Sequence, residues 1–373
     1  MSDAAPNRTL YVIRQGPPSL EAALLSGLLS PPEAAGHAAV CLLRTVAPWP
    51  ALAGAQVVAV PAPEGRRWSA SGRTVRTVAD LAKAVNATLI HSLGAEAQVV
   101  GGRAAKRAGL PALWSQLGVP TWGDWVHVSA AMASGGAILT FAQAALAAQR
   151  RLPKGRRARR LSPGVGVPEE ARSARQRHAR TALALPADGI VAALAGPVCH
   201  ADDALATFLR AGSTLCHARP NAMLLLPAPK PGTERAVLAA IAAHAGPLRA
   251  LDRVHTMPPE LDERLIYDAA DVVSYDAHAQ ALPLGLLMTM AAGAAAVAVD
   301  QPMVREFADD RAEAVFFPDG DAEALAVALL ALADDADQRE TLSLTGEARA
   351  RERYDAMDMA ATVGQLEAEL MKR

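Results

Sequence analysis

Few residues in this sequence stand at spacings that do chemistry. His91 closes the apolar run ATLIHS, so it falls at the carboxyl end of a predicted strand. Doubly wound sheets bind ligands at that edge, although a histidine satisfied within the core fits the same place. Trp114, Trp122 and Trp125 follow the end of another such run, LPALWS; they line a substrate cleft or fill a loop core. Asp319-Gly320-Asp321 has the Asp-x-Asp form of a metal–nucleotide site. Within FFPDGDAEALAVALL it reads better as a turn, with Asp321 capping the next helix. Gly164-Val-Gly166 is a poor dinucleotide loop, because Glu169 stands where the third glycine belongs. There is no Gly-Lys-Ser/Thr phosphate loop, and no His or Cys cluster at metal spacing. No metal and no cofactor is expected.

The elements that must position these residues alternate in type. Strand-like runs occupy 9–13, 38–43, 56–60, 87–92, 110–115 and 136–140, with helical stretches at 20–29, 75–85 and 96–108. The last of these stops at Gly109, a helix-ending glycine. The pattern then restarts, with strands at 190–194, 222–226, 254–256, 271–274, 295–299 and 314–316 and helices between them. Apolar strands alternating with helices predict parallel βαβ units. The chain is read as α/β, two doubly wound domains in series.

Composition excludes several classes. The 373 residues carry 37 Lys+Arg and 38 Asp+Glu, a net charge of −1, which argues against a globally basic nucleic-acid binder and against an acidic disordered chain. Three widely spaced cysteines, Cys41, Cys199 and Cys216, give no disulfide framework and suit a reducing, cytoplasmic setting. The stretch from Ala281 to Val299 has no charge over a membrane-spanning length, but Pro283, Gly285 and Gly293 break it into a helix, a turn and a strand. The joint between the halves is basic: residues 150–180 hold eleven Lys or Arg against Glu169 and Glu170. A solvated helix end and linker is one reading. Another is a surface over Arg150–Arg160 for an anionic membrane or a protein partner, with a location peripheral to the membrane. No nucleic acid is expected, since no aromatic residues interleave with the arginines.

The second half resembles a family. LDERLIYDAADVVSYDA, then QALPLGLLMTMAAGAAAVAVDQPMVREF, follow in register the E-G-F-G-L-P-L-L-E-A-M-A-C-G signature of the retaining glycosyltransferases of family four. ATLIHSLGAEAQVVGGRAAKRAGLP and LSPGVGVPEE resemble that family's first half and linker entry. The resemblance implies a GT-B fold: two Rossmann-like domains facing across a cleft. Residues 1–165, with a crossover helix in 355–373, would form the acceptor domain. Residues 166–185 would be the linker, and 186–354 the nucleotide-sugar domain. It implies transfer of a sugar from a UDP-type or GDP-type donor, with retention and without a metal. His91, Trp114, Trp122 and Trp125 would then line the acceptor cleft.

The same resemblance implies site residues, and most have changed type. The family's two glutamates fall on Gln280 and Met288; its Gly-Phe-Gly beside the phosphates falls on Ala281-Leu282-Pro283. Its diphosphate-binding Arg and Lys fall near Pro197 and Asp202, its amino-terminal glycine loop at Gly16, and its acceptor-side His on Gln116. Gln280 and Gln116 are the catalytic candidates. Lys230, Arg305 and Glu306 stand in neighbouring donor-side loops. Two lost charge-assisted bonds cost about 3–6 kcal/mol of donor affinity. Two activities fit these replacements: a transferase with a remodelled site, or a non-catalytic pseudo-glycosyltransferase that binds or regulates a partner.

Overall fold

A computed structural model of the chain describes residues 8–14, 19–31, 34, 36–43, 55–60, 72–121, 129, 136–152, 157–196, 200–245, 250–276 and 282–372. It divides into two compact units. Unit 1 comprises Met1–Gly164, Gln280–Leu282 and Asp355–Arg373; unit 2 comprises Val165–Ala279 and Pro283–Tyr354.

In unit 1 the order is β1 (Thr9–Ile13), α1 (Leu20–Leu28), β2 (Ala38–Leu42), β3 (Gln56–Ala59), α2 (Gly72–Ala84), β4 (Leu89–Leu93), α3 (Ala95–Ala108), β5 (Ala112–Gln116), β6 (Ala137–Thr140), α4 (Gln143–Arg151) and β7 (Ala158–Arg160). The described strands form one parallel sheet in the order β3-β2-β1-β4-β5-β6-β7. Strands β1, β2, β4, β5 and β6 are buried along their whole length, as a sheet covered on both faces requires. The connections β3→β4, β4→β5 and β6→β7 all run in one direction across the sheet. Right-handed crossovers therefore put α2, α3 and α4 on one face, and α1, whose connection runs the other way, on the opposite face. Gly101 of α3 lies directly over β4: a Cβ there would stand 2.1 Å from the Ser92 hydroxyl. The sequence pattern did not show β7, because Ala158-Arg159-Arg160 is a short edge strand with both arginines exposed.

Unit 2 holds α5 (Arg172–Ala182), β8 (Val191–Leu194), α6 (Asp203–Ala218), β9 (Met223–Leu226), α7 (Glu234–Ala245), β10 (Val254–Thr256), α8 (Arg264–Ala269), β11 (Val272–Tyr275), α9 (Leu284–Ala291), β12 (Ala295–Val299), β13 (Ala314–Phe317), α10 (Ala322–Asp334) and α11 (Ala336–Arg353). Its parallel sheet runs β10-β9-β8-β11-β12-β13. Both sheets reverse direction beside their first strand, the strand order of a Rossmann-like fold. Asp321 caps α10, accepting from the Glu323 and Ala324 amides at 3.1 and 2.9 Å. The uncharged stretch 281–299 contributes α9, a turn and β12, and no described helix is long and apolar enough to cross a membrane.

Helix α12 (Ala356–Met371) belongs to unit 1 and packs beside α1. A Cβ on Gly164 would stand 2.6 Å from the Ala356 Cα, so this close approach of chain to helix needs glycine.

The carboxyl half of the basic joint is not a solvated run. Arg172 donates to the carbonyls of Ala270 and Ala292 at 2.7 and 2.8 Å, and Arg175 donates to Ala292 O and pairs with Asp268. Arg180 donates to Ala269 O at 3.1 Å and to Asp271 Oδ2 at 2.7 Å. Three arginines of α5 thus neutralise the carbonyl ends of α8 and α9, where helix dipoles favour positive charge.

Candidate functional site

Each sheet has a carboxyl edge, where the chain leaves a strand and enters a helix. In unit 1 the polar residues of β4 and β5 lie buried within their strands. His91 is fully buried in mid-strand; its Nδ1 lies 2.8 Å from Glu367 Oε1 of α12, and its Nε2 lies 2.8 Å from Ser115 Oγ of β5. Glu367 also accepts from Thr9 Oγ1 at 2.9 Å and Tyr11 Oη at 3.2 Å. The order Ser–His–Glu is that of a hydrolase relay. Ser115 has 0% exposure, so no substrate reaches its hydroxyl. The relay ties α12 to β1, β4 and β5.

Trp114 is also fully buried; it packs with Ile138, Leu146, Leu152 and Ala158 in a core cluster. Gln116 closes β5 with 6% exposure, and its Oε1 has no hydrogen-bond partner. Gln98, in the first turns of α3, is fully buried with both amide atoms unpartnered. Leu282 is buried and donates its N–H to Leu117 O at 2.8 Å, just beyond Gln116. The amino end of α3 has Gly94 as its cap, with no side-chain bond to the first-turn amides. Gly16, Trp122, Trp125, Pro197 and Gln280 lie outside the described residues.

In unit 2 the edge is built around the end of β8. The Gly196 N–H donates to Tyr267 Oη at 3.3 Å. Helix α9 begins at Pro283, and no side chain among the described residues caps its first amides. Gly285 in that turn leaves room for the Tyr275 ring: a Cβ there would stand 3.1 Å from it and 3.2 Å from Ala195 Cβ. Met288 is half-buried and packs against the core cluster that holds Ile266 and Tyr267. Asp202 caps α6 by accepting from the Leu205 amide at 3.2 Å. Arg305 is bound twice to Asp300, at 2.5 and 2.8 Å, and lies 4.6 Å over the Phe316 ring. Glu306 is half-buried in the same turn. Lys230, past the end of β9, is exposed and has no ion-pair partner among the described residues.

One carboxyl at this edge was not singled out from the sequence. Glu263 precedes α8, and its Oε2 is buried without a partner. Burial, and then the neighbouring Asp262, push its pKa up to about 7, with Arg264 opposing. Tyr267, one turn on, is raised by burial and by Glu263. The sequence signal was only a glutamate one turn before a core tyrosine. Among the described residues, no group of three His, Cys, Asp or Glu side chains is placed to hold a metal ion.

Two Rossmann-like parallel-sheet units of this order give the chain the GT-B glycosyltransferase fold, and known structures carry it throughout. HepE of Anabaena, solved with UDP-glucose, superposes with a TM-score of 0.78 at 16% identity, over 97% of this chain and 99% of that one. Sucrose-phosphate synthase from Thermosynechococcus elongatus gives 0.70 at 18% identity, over 98% and 100%. WaaG, a glycosyltransferase involved in lipopolysaccharide biosynthesis, gives 0.71 at 14% identity, over 95% and 98%. Residues 190–335, most of unit 2, match the family model of glycosyl transferases group 1. No curated protein matches the chain in sequence.

Proposed function

We propose that the chain transfers a sugar, with retention, from a nucleotide-sugar donor bound at the carboxyl edge of unit 2. The observation that carries this reading is the group 1 match over 190–335, which spans β8 to α10 and includes the uncapped start of α9. HepE, of the same fold, was solved with UDP, with UDP and glucose, and with UDP-glucose. In this chain the amides at the start of α9 and the free ammonium of Lys230 would take up charge on the departing diphosphate. Gln116 and Gln280 would orient the reacting sugar as neutral hydrogen-bonding groups. A UDP-type donor, a place in family four, a metal-free reaction and a cytoplasmic or membrane-peripheral setting complete the reading.

A second reading has its own support. Met288 is packed against the core, and Arg305 is neutralised by Asp300. Neither offers a ribose acceptor or a free cation, which favours a non-catalytic relative that binds or regulates a protein partner. Calorimetric titration with UDP, GDP and UDP-glucose separates the two. Saturable binding below about 100 µM supports the transferase. No binding at millimolar nucleotide leaves the non-catalytic reading.

A further inference from the structure

The two units differ sharply in charge. Unit 1 carries 20 Lys+Arg against 11 Asp+Glu; unit 2 carries 17 against 27. Within unit 1 the placement follows from the fold. Helices α2, α3 and α4 lie on one face of the sheet and run against the strands, so all three end at the amino edge of the sheet, opposite the edge that binds ligands. Their last turns hold Lys83, then Lys106 and Arg107, then Arg150 and Arg151; Arg157 stands at the same edge, just before β7. All six are exposed, and none has an ion-pair partner among the described residues.

A helix dipole accounts for a cation at each helix end, but not for the doubled charges at the ends of α3 and α4; exposed Asp80 stands one turn before Lys83. Glu369, the nearby acid of α12, is taken by Arg159 at 3.4 Å. The described residues of α2, α3 and α4 include no exposed large apolar side chain. A protein interface needs an apolar centre with anchoring side chains; a diffuse anionic surface needs only the charges.

We infer that the amino edge of the unit 1 sheet is a docking surface for an anionic lipid bilayer. It joins Arg150, Arg151 and Arg157 to the ends of α2 and α3. It faces away from the carboxyl edge, so docking there would not cover that edge. The inference deepens the membrane-peripheral part of the proposed reading, and its test does not depend on transferase activity.

The test is co-sedimentation of the full chain with vesicles of phosphatidylcholine alone, and of phosphatidylcholine mixed with phosphatidylglycerol. Binding is expected only with the anionic lipid and is expected to weaken with salt. The pairs Lys106→Gln/Arg107→Gln and Arg150→Gln/Arg151→Gln should each lower partitioning about thirtyfold, at about a factor of five per charge. Arg73→Gln/Arg76→Gln makes the same change of net charge at the far end of α2 and should cost far less. Circular dichroism confirms that each variant is folded. Equal binding to neutral vesicles, no vesicle binding, or an equal loss from the Arg73/Arg76 pair overturns the inference. No vesicle binding together with capture by an acidic protein would assign the surface to that protein instead.

Discussion

His91 Nδ1 and Glu367 Oε1 stand 2.8 Å apart, joining a central strand of unit 1 to the chain's last helix across 276 residues. A carboxylate only accepts, so Nδ1 donates to Glu367, while Nε2 lies within hydrogen-bonding distance of Ser115 Oγ. With Thr9 and Tyr11 also donating, every polar atom of this buried group is used. A fully satisfied network specifies one docking of α12.

Replacing Glu367 with Leu leaves three buried donors unpaired. The expected loss is about 3–5 kcal/mol for unit 1. All five tryptophans lie in Met1–Gly164, so tryptophan emission during urea unfolding follows unit 1 alone. An unchanged midpoint would show that α12 docks without the relay.

The sequence made the alternation of strands and helices legible, because β1, β4, β8 and β12 are short apolar runs between clear breaks. It also placed the Gly109 and Asp321 caps, whose signals are local. The partners of His91 were beyond reach: Ser115 and Glu367 lie 24 and 276 residues away, and only the parallel register with α12 docked above it unites them. The arginines of α5 misled for a related reason. A charge run reads as solvated until the carbonyl ends of two other helices are found beneath it.

Arg180 offers the sharpest test of that packing. Its guanidinium spans Ala269 O, Ala187 O and Asp271 Oδ2, a set that one ammonium cannot reproduce. Arg180→Met should destabilise unit 2 by about 3–5 kcal/mol, and Arg180→Lys should recover less than half of that. Unfolding followed by far-ultraviolet circular dichroism measures both. Full recovery by lysine would mean that charge alone suffices there.

Glu263 predicts a dependence on pH. Its pKa is raised to about 7 from 4.5, chiefly by burial. The native state therefore holds this proton more tightly than the unfolded chain does. The resulting stabilisation is complete below about 4.5 and is lost as pH rises through about 7. Glu263→Gln keeps a neutral side chain at every pH. Its stability relative to the parent should rise by about 1–3 kcal/mol between pH 5 and pH 8. A difference that stays level over that range would place the carboxyl in water.

Lys230 and Arg305 should separate in nucleotide binding, because one cation is free and the other is held. Lys230 has no acidic partner among the described residues, while Arg305 is clamped by both oxygens of Asp300. A charge-assisted bond to phosphate contributes about 1.5–3 kcal/mol. Lys230→Ala should thus weaken UDP binding at least tenfold, and Arg305→Ala by less than threefold. Asp300→Asn would release Arg305 and should strengthen binding if the freed guanidinium reaches the phosphates. Calorimetry on the three variants gives the comparison. Equal losses from Lys230→Ala and Arg305→Ala would show that the Asp300 pair opens when nucleotide arrives.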